Sequence, residues 1–269
     1  MDIGILIIYY TLYSFLGWCT EVLYYFKKEK HFVNRGFLNG PFCPIYGFGA
    51  VILIVLLEPF QNSLFYLFLG ATFLTSALEY FTGFILERFF HSVWWDYSDN
   101  ALNIKGRICL SFSLLWGLGS LLIVRYFQPL VSNLVYAIPR NILYVLDVCV
   151  IIYFLLDFIL SVNSLVELTK ISKQLKDISV QIKSNSEAIL VRAKASALEV
   201  EQKFSSLKEN SALELEQKVS SLKESYETLS SKLKGKHLRF LKAFPTLKYS
   251  GLTEIFNDIR SKVNSLLDK

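Results

Sequence analysis

The most constraining feature of this sequence is an internal repeat, in which two segments are related by a constant offset of 66 residues. Matches between polar residues and between glycines carry the weight, because matches between apolar residues are common in so hydrophobic a chain. Each copy has an apolar helix, a basic loop and a second apolar helix. Two helical hairpins in the same orientation are common in membrane transport proteins, whose sites often lie between the repeats. The matched pairs are Gly17/Gly83, Glu21/Glu87, Asn34/Asn100, Gly40/Gly106 and Cys43/Cys109.

The composition predicts a membrane protein with a polar tail. Of the 269 residues, 53% are hydrophobic, and the mean hydropathy is +0.39. The apolar residues are concentrated before residue 163, where five stretches approach the roughly 20 residues needed to cross a bilayer core. We therefore expect an all-α bundle of five transmembrane helices, made of two repeated hairpins and one further helix. The predicted spans are Ile3–Phe26, Phe42–Leu57, Leu64–Leu86, Arg107–Phe127 and Ile142–Val162.

Two features bear on processing and redox state. The first apolar segment lacks a basic start and has no small residues at a cleavage point, so it is expected to remain in the mature protein. The four cysteines lie in or beside apolar segments, with no second thiol nearby in sequence. This spacing disfavours a disulfide framework and favours a reduced setting that faces the cytoplasm. The cysteines are Cys19, Cys43, Cys109 and Cys149.

The distribution of Lys and Arg predicts the orientation in the membrane. The loop after the first span is basic, the loop Glu58–Ser63 has no Lys or Arg, and the polar tail begins with further lysines. Because basic residues favour the cytoplasmic side, we expect an outside N-terminus and a cytoplasmic C-terminus. The net charge of +5 then reflects lysines facing anionic lipid, and nothing indicates nucleic acid as a partner.

Acidic residues within the apolar segments predict a site at the cytoplasmic side. Glu21 and Glu87 lie near the inner ends of the first and third spans, and Glu79 lies deeper. An intramembrane acid is a functional-site hypothesis by default, and at the depth of Glu79 it needs a partner or must be neutral. An alternative is that Glu21 and Glu87 pair with nearby arginines and only fix helix ends. For Asp157 we favour a structural role, because it lies about one turn from the surface.

The segment Arg35–Gly49 has four glycines and two prolines, which resist a regular helix. Irregular backbone at membrane depth is tolerated only where it is buried in protein or lines a watery cavity, so this segment should face the site. Its counterpart contains Trp94, Trp95, Asp96 and Tyr97. The aromatic residues fit an interfacial belt equally well, but a belt does not explain Asp96.

These motifs closely resemble the bacterial family called putative ABC-transporter type IV, or CmpB-like permeases, over about residues 5–160. The resemblance implies a multi-pass membrane component of a transporter and supplies no substrate or catalytic residue. The motifs are Gly17-Trp-x-x-Glu21, Arg35-Gly-Phe-Leu-x-Gly-Pro-x-Cys-Pro-Ile-Tyr-Gly47, Glu79, Trp95-Asp-Tyr-Ser98 and Gly106-x-x-Cys-Leu-x-x-Ser113-x-x-Trp-Gly117.

The sequence contains no phosphate-binding loop of the Gly-x4-Gly-Lys-Ser/Thr type, so ATP is expected only through a separate ATPase subunit. We expect no cofactor in this chain. A metal site formed by Cys43, Cys109 and His91 is possible in principle, but buried cysteines usually pack as small apolar residues. A membrane enzyme that uses Glu79 or Asp96 as acid or base stays open, although no nucleophile and base pair is recognisable.

The tail is predicted as a cytoplasmic coiled coil over residues 164–234, after a transmembrane domain of residues 1–163. A helix of about 70 residues would be about 105 Å long, and its weak apolar stripe calls for a partner helix or self-association. The alternative is a partly frayed, solvated helix. A 15-residue repeat, Glu199–Glu209 and Glu214–Glu224, favours a straight or slightly right-handed coil.

Residues 235–269 form a basic segment in which Arg239, Phe240 and Phe244 are interleaved with lysines, and Leu252–Leu267 is predicted as a short amphipathic helix. This pattern suits an anionic membrane surface or an acidic partner, and equally an ordinary basic surface. A membrane-anchored scaffold is therefore the alternative to a permease-like subunit. The candidate site residues are Glu21, Glu79, Glu87, Arg35, Cys43, Tyr46, Asp96, Tyr97, Arg107 and Cys109.

Overall fold

The computed structural model describes residues 2–198, 205–233, 235–244 and 247–249, and this part of the chain is mostly α-helical. The coarse fold class expected from the sequence is therefore confirmed. The helices are α1 (Ile3–Glu29), α2 (Pro44–Leu56), α3 (Leu64–Phe90), α4 (Leu110–Leu122), α5 (Gln128–Tyr136), α6 (Arg140–Leu198), α7 (Ser205–Ser231) and α8 (Gly235–Ala243). Two short antiparallel strand pairs complete it, namely β1 (Ser92–Val93) with β4 (Lys248–Tyr249) and β2 (Asn103–Ile104) with β3 (Ile108–Cys109).

The described residues form two compact units. The first contains residues 2–164 together with residues 239–249, and the second contains the described residues between 165 and 238. Helix α6 contributes to both. The described residues 239–244 and 247–249 belong to the same unit as the apolar helices, and the separate C-terminal segment 235–269 stays a prediction.

Within the described residues, four helical runs are long and apolar enough to cross a membrane. One stripe on α6 is apolar and exposed, as expected for side chains that face lipid: Val145, Val148, Ile152, Leu155 and Ile159 are all more than half exposed. The third run continues through a π-helical turn (Ile123–Phe127) to Tyr136, beyond Phe127, where the fourth predicted span ends. The four runs are Ile3–Glu29, Leu64–Phe90, Leu110–Tyr136 and Arg140–Val191.

The predicted second span differs from a crossing helix. Helix α2 has 13 residues, which gives a length of about 20 Å against a hydrocarbon core of about 30 Å. It begins directly after Cys43, and α4, also of 13 residues, begins directly after the matched Cys109. The π-helical turn and α5 continue α4 to Tyr136, whereas α2 ends at Leu56, and the internal repeat stays a prediction. The count of five spans stays a prediction.

Helix α2 packs closely against α1 and starts beside its middle. The Cys43 N–H donates to the Ser14 carbonyl oxygen at 2.9 Å, and Ser14 is central in α1. Residues 34–43 before it are non-helical, so the irregular backbone predicted for Arg35–Gly49 is present up to Cys43. Gly17 allows the close approach, because a Cβ there would overlap the ring of Tyr46.

The second unit has two helices side by side. Residues of α6 around Ile178 and residues of α7 around Glu224 line one surface groove, and His237 Nε2 lies 2.9 Å from Glu167 Oε2. Glu224 lies in the same groove as Ile178, and His237, further along the chain, lies beside Glu167, which comes earlier in α6. Helix α7 is therefore antiparallel to α6. The expected single helix of about 70 residues is therefore folded back, with its apolar stripe meeting a partner in the same chain. Residues 199–204, in the first copy of the 15-residue repeat, and Leu252–Leu267 lie outside the described residues, and the coiled coil stays a prediction.

The α1–α2 contact predicts different outcomes for two glycine substitutions. Gly17→Ala should lower the thermal stability by about 1–3 kcal/mol, because the new methyl group overpacks the contact with Tyr46. Gly119→Ala is the matched control, since a Cβ at Gly119 meets no atom within 4 Å. Thermal unfolding of both proteins in the same nanodiscs measures the difference. Equal melting temperatures would contradict the proposed close approach.

Candidate functional site

The first acidic group of the site lies between α1 and α2. The Tyr46 hydroxyl donates to Glu21 Oε1 at 2.7 Å, and Arg35 Nε lies 3.8 Å from Glu21 Oε2. The guanidinium of Arg35 also lies over the ring of Tyr25, with 4.9 Å to the centroid. Glu21 is therefore held by one hydroxyl and one cation, both supplied by the first hairpin and its loop.

The second acidic group lies on α3. Glu79 is 8% exposed, and its Oε1 accepts a hydrogen bond of 3.0 Å from the Tyr97 hydroxyl. The Tyr97 ring stacks on Phe112 at 4.8 Å. Glu79 Oε2 is buried, and the Trp116 side chain interacts with this carboxylate. Within the described residues, the partners that a buried carboxylate requires are therefore two aromatic side chains, those of Tyr97 and Trp116.

These two acidic groups come together through Trp116. Its ring meets the Tyr46 ring edge-on, with 5.8 Å between centroids, and its side chain also interacts with Glu79. Tyr97 lies within electrostatic range of both Tyr46 and Glu21. Residues Glu21, Tyr46, Glu79, Tyr97 and Trp116, named here the paired-carboxylate cluster, therefore join the two hairpins.

Glu87 and Arg107 belong to a different place, a cleft of about 310 Å³. Arg107 donates through Nε at 3.1 Å and through its terminal nitrogen to Glu87 Oε2, and these bonds raise the pKa of Arg107. Asp96 lines the same cleft and accepts from the Ser98 hydroxyl. The lining residues are Gly83, Glu87, Val93, Trp94, Trp95, Asp96, Ser98, Lys105, Gly106 and Arg107.

The ten residues predicted for the site are thus divided. Glu21, Arg35, Tyr46, Glu79 and Tyr97 are linked by contacts, whereas Glu87, Asp96 and Arg107 line the cleft. The two cysteines are buried at the starts of their helices, with Cys43 at 6% and Cys109 at 1% exposure. The part of the chain that the structure describes contains no group of three or more His, Cys, Asp or Glu side chains arranged to hold a metal.

The alternatives left open by the sequence have different outcomes. Glu21 and Glu87 are both paired with arginines, as the interpretation of helix-end pairing predicts. The interpretation of an aromatic belt is wrong for Trp94, which is 4% exposed, and for Tyr97, whose hydroxyl binds Glu79. Trp94 packs against Phe240 and Phe244 and Tyr97 binds Glu79, so contacts inside the protein determine the positions of both side chains.

Asp157 has partners that the sequence did not indicate. It is 6% exposed, and its carboxylate accepts the backbone N–H of Asn39 at 2.9 Å and that of Gly40 at 2.8 Å. The Asn39 side-chain amide adds a third bond at 2.9 Å. This carboxylate therefore holds residues 34–43, the glycine-proline loop, which agrees with the structural role favoured from the sequence. The presence of an acid in the fifth apolar segment was the only signal in the sequence.

The fold and the site define a membrane protein with several apolar helices, and with the buried Glu79 and the partly exposed Glu21 linked through aromatic side chains of two hairpins. Residues 8–162 match the model of the family described as "Putative ABC-transporter type IV", and the chain belongs to this family. The resemblance noted from the motifs is thereby confirmed. No curated protein and no solved structure matches the chain.

Asp157 and Asp147 provide a matched test on one helix, since each is 6% exposed. Asp157→Asn should destabilise the protein by about 1–3 kcal/mol, because an amide cannot accept from both backbone N–H groups and leaves one buried donor unsatisfied. Asp147→Asn should not destabilise it, because Asp147 Oδ1 accepts no hydrogen bond within the described residues. Thermal unfolding in nanodiscs measures both, and equal losses would refute the role of Asp157.

Proposed function

We propose that this chain is the permease-like membrane subunit of an ABC-type transporter in the bacterial cytoplasmic membrane. Its substrate site lies between the two hairpins at the cytoplasmic side, and a separate subunit hydrolyses ATP. The N-terminus lies outside and the C-terminus in the cytoplasm, as the Lys and Arg distribution predicts. Family membership over residues 8–162 supports the class, and the lack of a phosphate-binding loop in the sequence supports a separate ATPase.

The observation that carries this proposal is the paired-carboxylate cluster. Glu21 and Glu79 come from different hairpins and are linked by aromatic side chains. Trp116 contacts Tyr46, which binds Glu21, and Trp116 also interacts with Glu79. A buried acid in a membrane, as Glu79 is here, is costly to retain for stability alone. A relative movement of the hairpins would change the surroundings of both acids at once, which is what alternating access at such a site requires.

Glu79 is the residue on which the proposed transport depends most. Glu79→Gln should abolish complementation in a strain that lacks the native gene, under a condition where its loss changes growth, because an amide has nearly the same shape but cannot become an anion. Glu58→Gln is the control, since it makes the same change in an exposed loop. Immunoblots of the membrane fraction check that both variants insert. Full complementation by the Glu79→Gln variant would refute the proposed site.

The partner subunit can be tested on the same material. The full-length tagged chain, purified from native membranes, should carry with it a polypeptide that contains a phosphate-binding loop and hydrolyses Mg-ATP. Mass spectrometry and an ATPase assay detect this partner. A preparation without such a polypeptide and without ATP hydrolysis would contradict the proposed transporter class.

A membrane-anchored scaffold is the second candidate function, and the paired helices of the second unit favour it. Deleting the whole tail would not separate the two functions, because residues 239–249 belong to the unit of the apolar helices. Ile178 and Glu224 line the same groove, so residues 183–219 can be replaced by a short Gly/Ser linker. The permease proposal predicts that complementation survives this replacement. Loss of complementation with normal membrane levels would favour the scaffold.

A further inference from the structure

A segment far from the family-matched region is built into the apolar unit. Its described residues, 239–244 and 247–249, are named here the docked segment. Phe240, Leu241, Ala243 and Leu247 are each at most 3% exposed. The sequence predicted that this basic and aromatic stretch binds an anionic membrane or an acidic partner. For the buried aromatic and apolar side chains, the observed partner is the protein itself.

Arg239 anchors the docked segment to the glycine-proline loop. One terminal nitrogen donates to the carbonyl oxygens of Gly36 at 2.9 Å and Leu38 at 2.6 Å, and the other donates to that of Phe37 at 2.8 Å. The planar fork of a guanidinium suits several acceptors at fixed positions, and a lysine ammonium does not reproduce it. Burial lowers the pKa of Arg239 to about 10, and the nearby charge of Asp157 opposes this shift.

The same loop is held from its other side by an anion. Asp157 accepts from the N–H groups of Asn39 and Gly40, directly after the three carbonyl groups that Arg239 binds. A cation therefore faces consecutive carbonyl groups, and an anion faces the N–H groups that follow. This arrangement satisfies backbone groups that an irregular loop cannot satisfy by itself.

The docked segment also reaches the second hairpin. The Phe244 ring lies 4.5 Å from the Trp94 ring, centroid to centroid, and strand β4 pairs with β1 in the register Val93 with Lys248. The Arg35 guanidinium lies 5.4 Å from the Phe244 ring centroid and pairs with Glu21. The segment thus touches the loops that follow both repeat helices, and one of its contacts leads directly to the paired-carboxylate cluster.

We propose that Arg239 is a positioning residue for the candidate site, and that the docked segment holds the loops of the two hairpins together. Arg239 fixes the loop that leads into Cys43 and Tyr46, and through this loop it keeps water away from the edge of the site. The importance of Arg239 for transport rests on the proposed function. Its geometry can be tested without any transport assay.

The test measures how fast N-ethylmaleimide labels each cysteine of the full-length protein in nanodiscs, by peptide mass spectrometry. Cys43 reports on the loop, and a thiol introduced by Asn62→Cys, at an exposed position between α2 and α3, is the internal standard in every protein compared. Arg239→Gln should raise the labelling rate at Cys43 about tenfold or more, because three charge-assisted hydrogen bonds are lost. Arg239→Lys should give an intermediate rate. The control Lys242→Gln removes a positive charge from the same helix, at a residue that forms none of the contacts described, and should match the wild type.

Chemical rescue separates positioning from general loss of structure. In the Arg239→Ala variant, ethylguanidinium should restore slow labelling of Cys43 and ethylammonium should not, because only the guanidinium has the fork that matches the three carbonyl groups. An unchanged rate in Arg239→Gln, or a raised rate that ethylguanidinium does not lower, would overturn the proposal. Either result leaves the Glu79 and ATPase experiments unaffected, so the two proposals can fail separately.

Discussion

The need to satisfy backbone polar groups away from water is the constraint on which the rest of this structure depends. Residues 34–43 have no helical hydrogen bonds, yet they end against the middle of α1, where Cys43 binds the Ser14 carbonyl. In an apolar environment each unpaired N–H or C=O costs several kcal/mol, so the surrounding side chains must supply partners. Asn34 supplies some of them, since it accepts from Gly36 N–H at 2.9 Å and donates to the Asn39 carbonyl at 2.7 Å.

This constraint explains why distant residues converge on one loop. Asp157, on α6, accepts hydrogen bonds from the N–H groups of the loop, and Arg239, on α8, donates to its carbonyl groups. An irregular loop in this position is useful because it allows α2 to begin deep beside α1 and places Tyr46 next to Glu21. The polar partners of the loop and those of the site are therefore parts of one connected arrangement, in which Arg35 contacts both Glu21 and Phe244.

The acidic residues follow the same principle with different solutions. Glu87, at the more exposed position, is paired with a cation, whereas the buried Glu79 has hydrogen bonding from Tyr97 and interacts with Trp116. The charge of Glu87 is thus compensated by Arg107, whereas the partners of Glu79 within the described residues are neutral aromatic side chains. This difference is why Glu79 and the residues around it, and not Glu87, form the centre of the proposed site.

The sequence by itself determined the class of the protein, because apolar length, the repeated Gly, Glu and Cys positions and the family motifs are local patterns. It also predicted irregular backbone before α2, the second helix of the first hairpin, since glycine and proline disfavour a helix through their own backbone chemistry. Only the tertiary structure separated Glu87 from Glu79, turned α7 back along α6 and brought Arg239 to Gly36, 203 residues away in the chain. No local pattern encodes such partners, because the energy of a buried polar group depends on which atoms the whole fold places beside it.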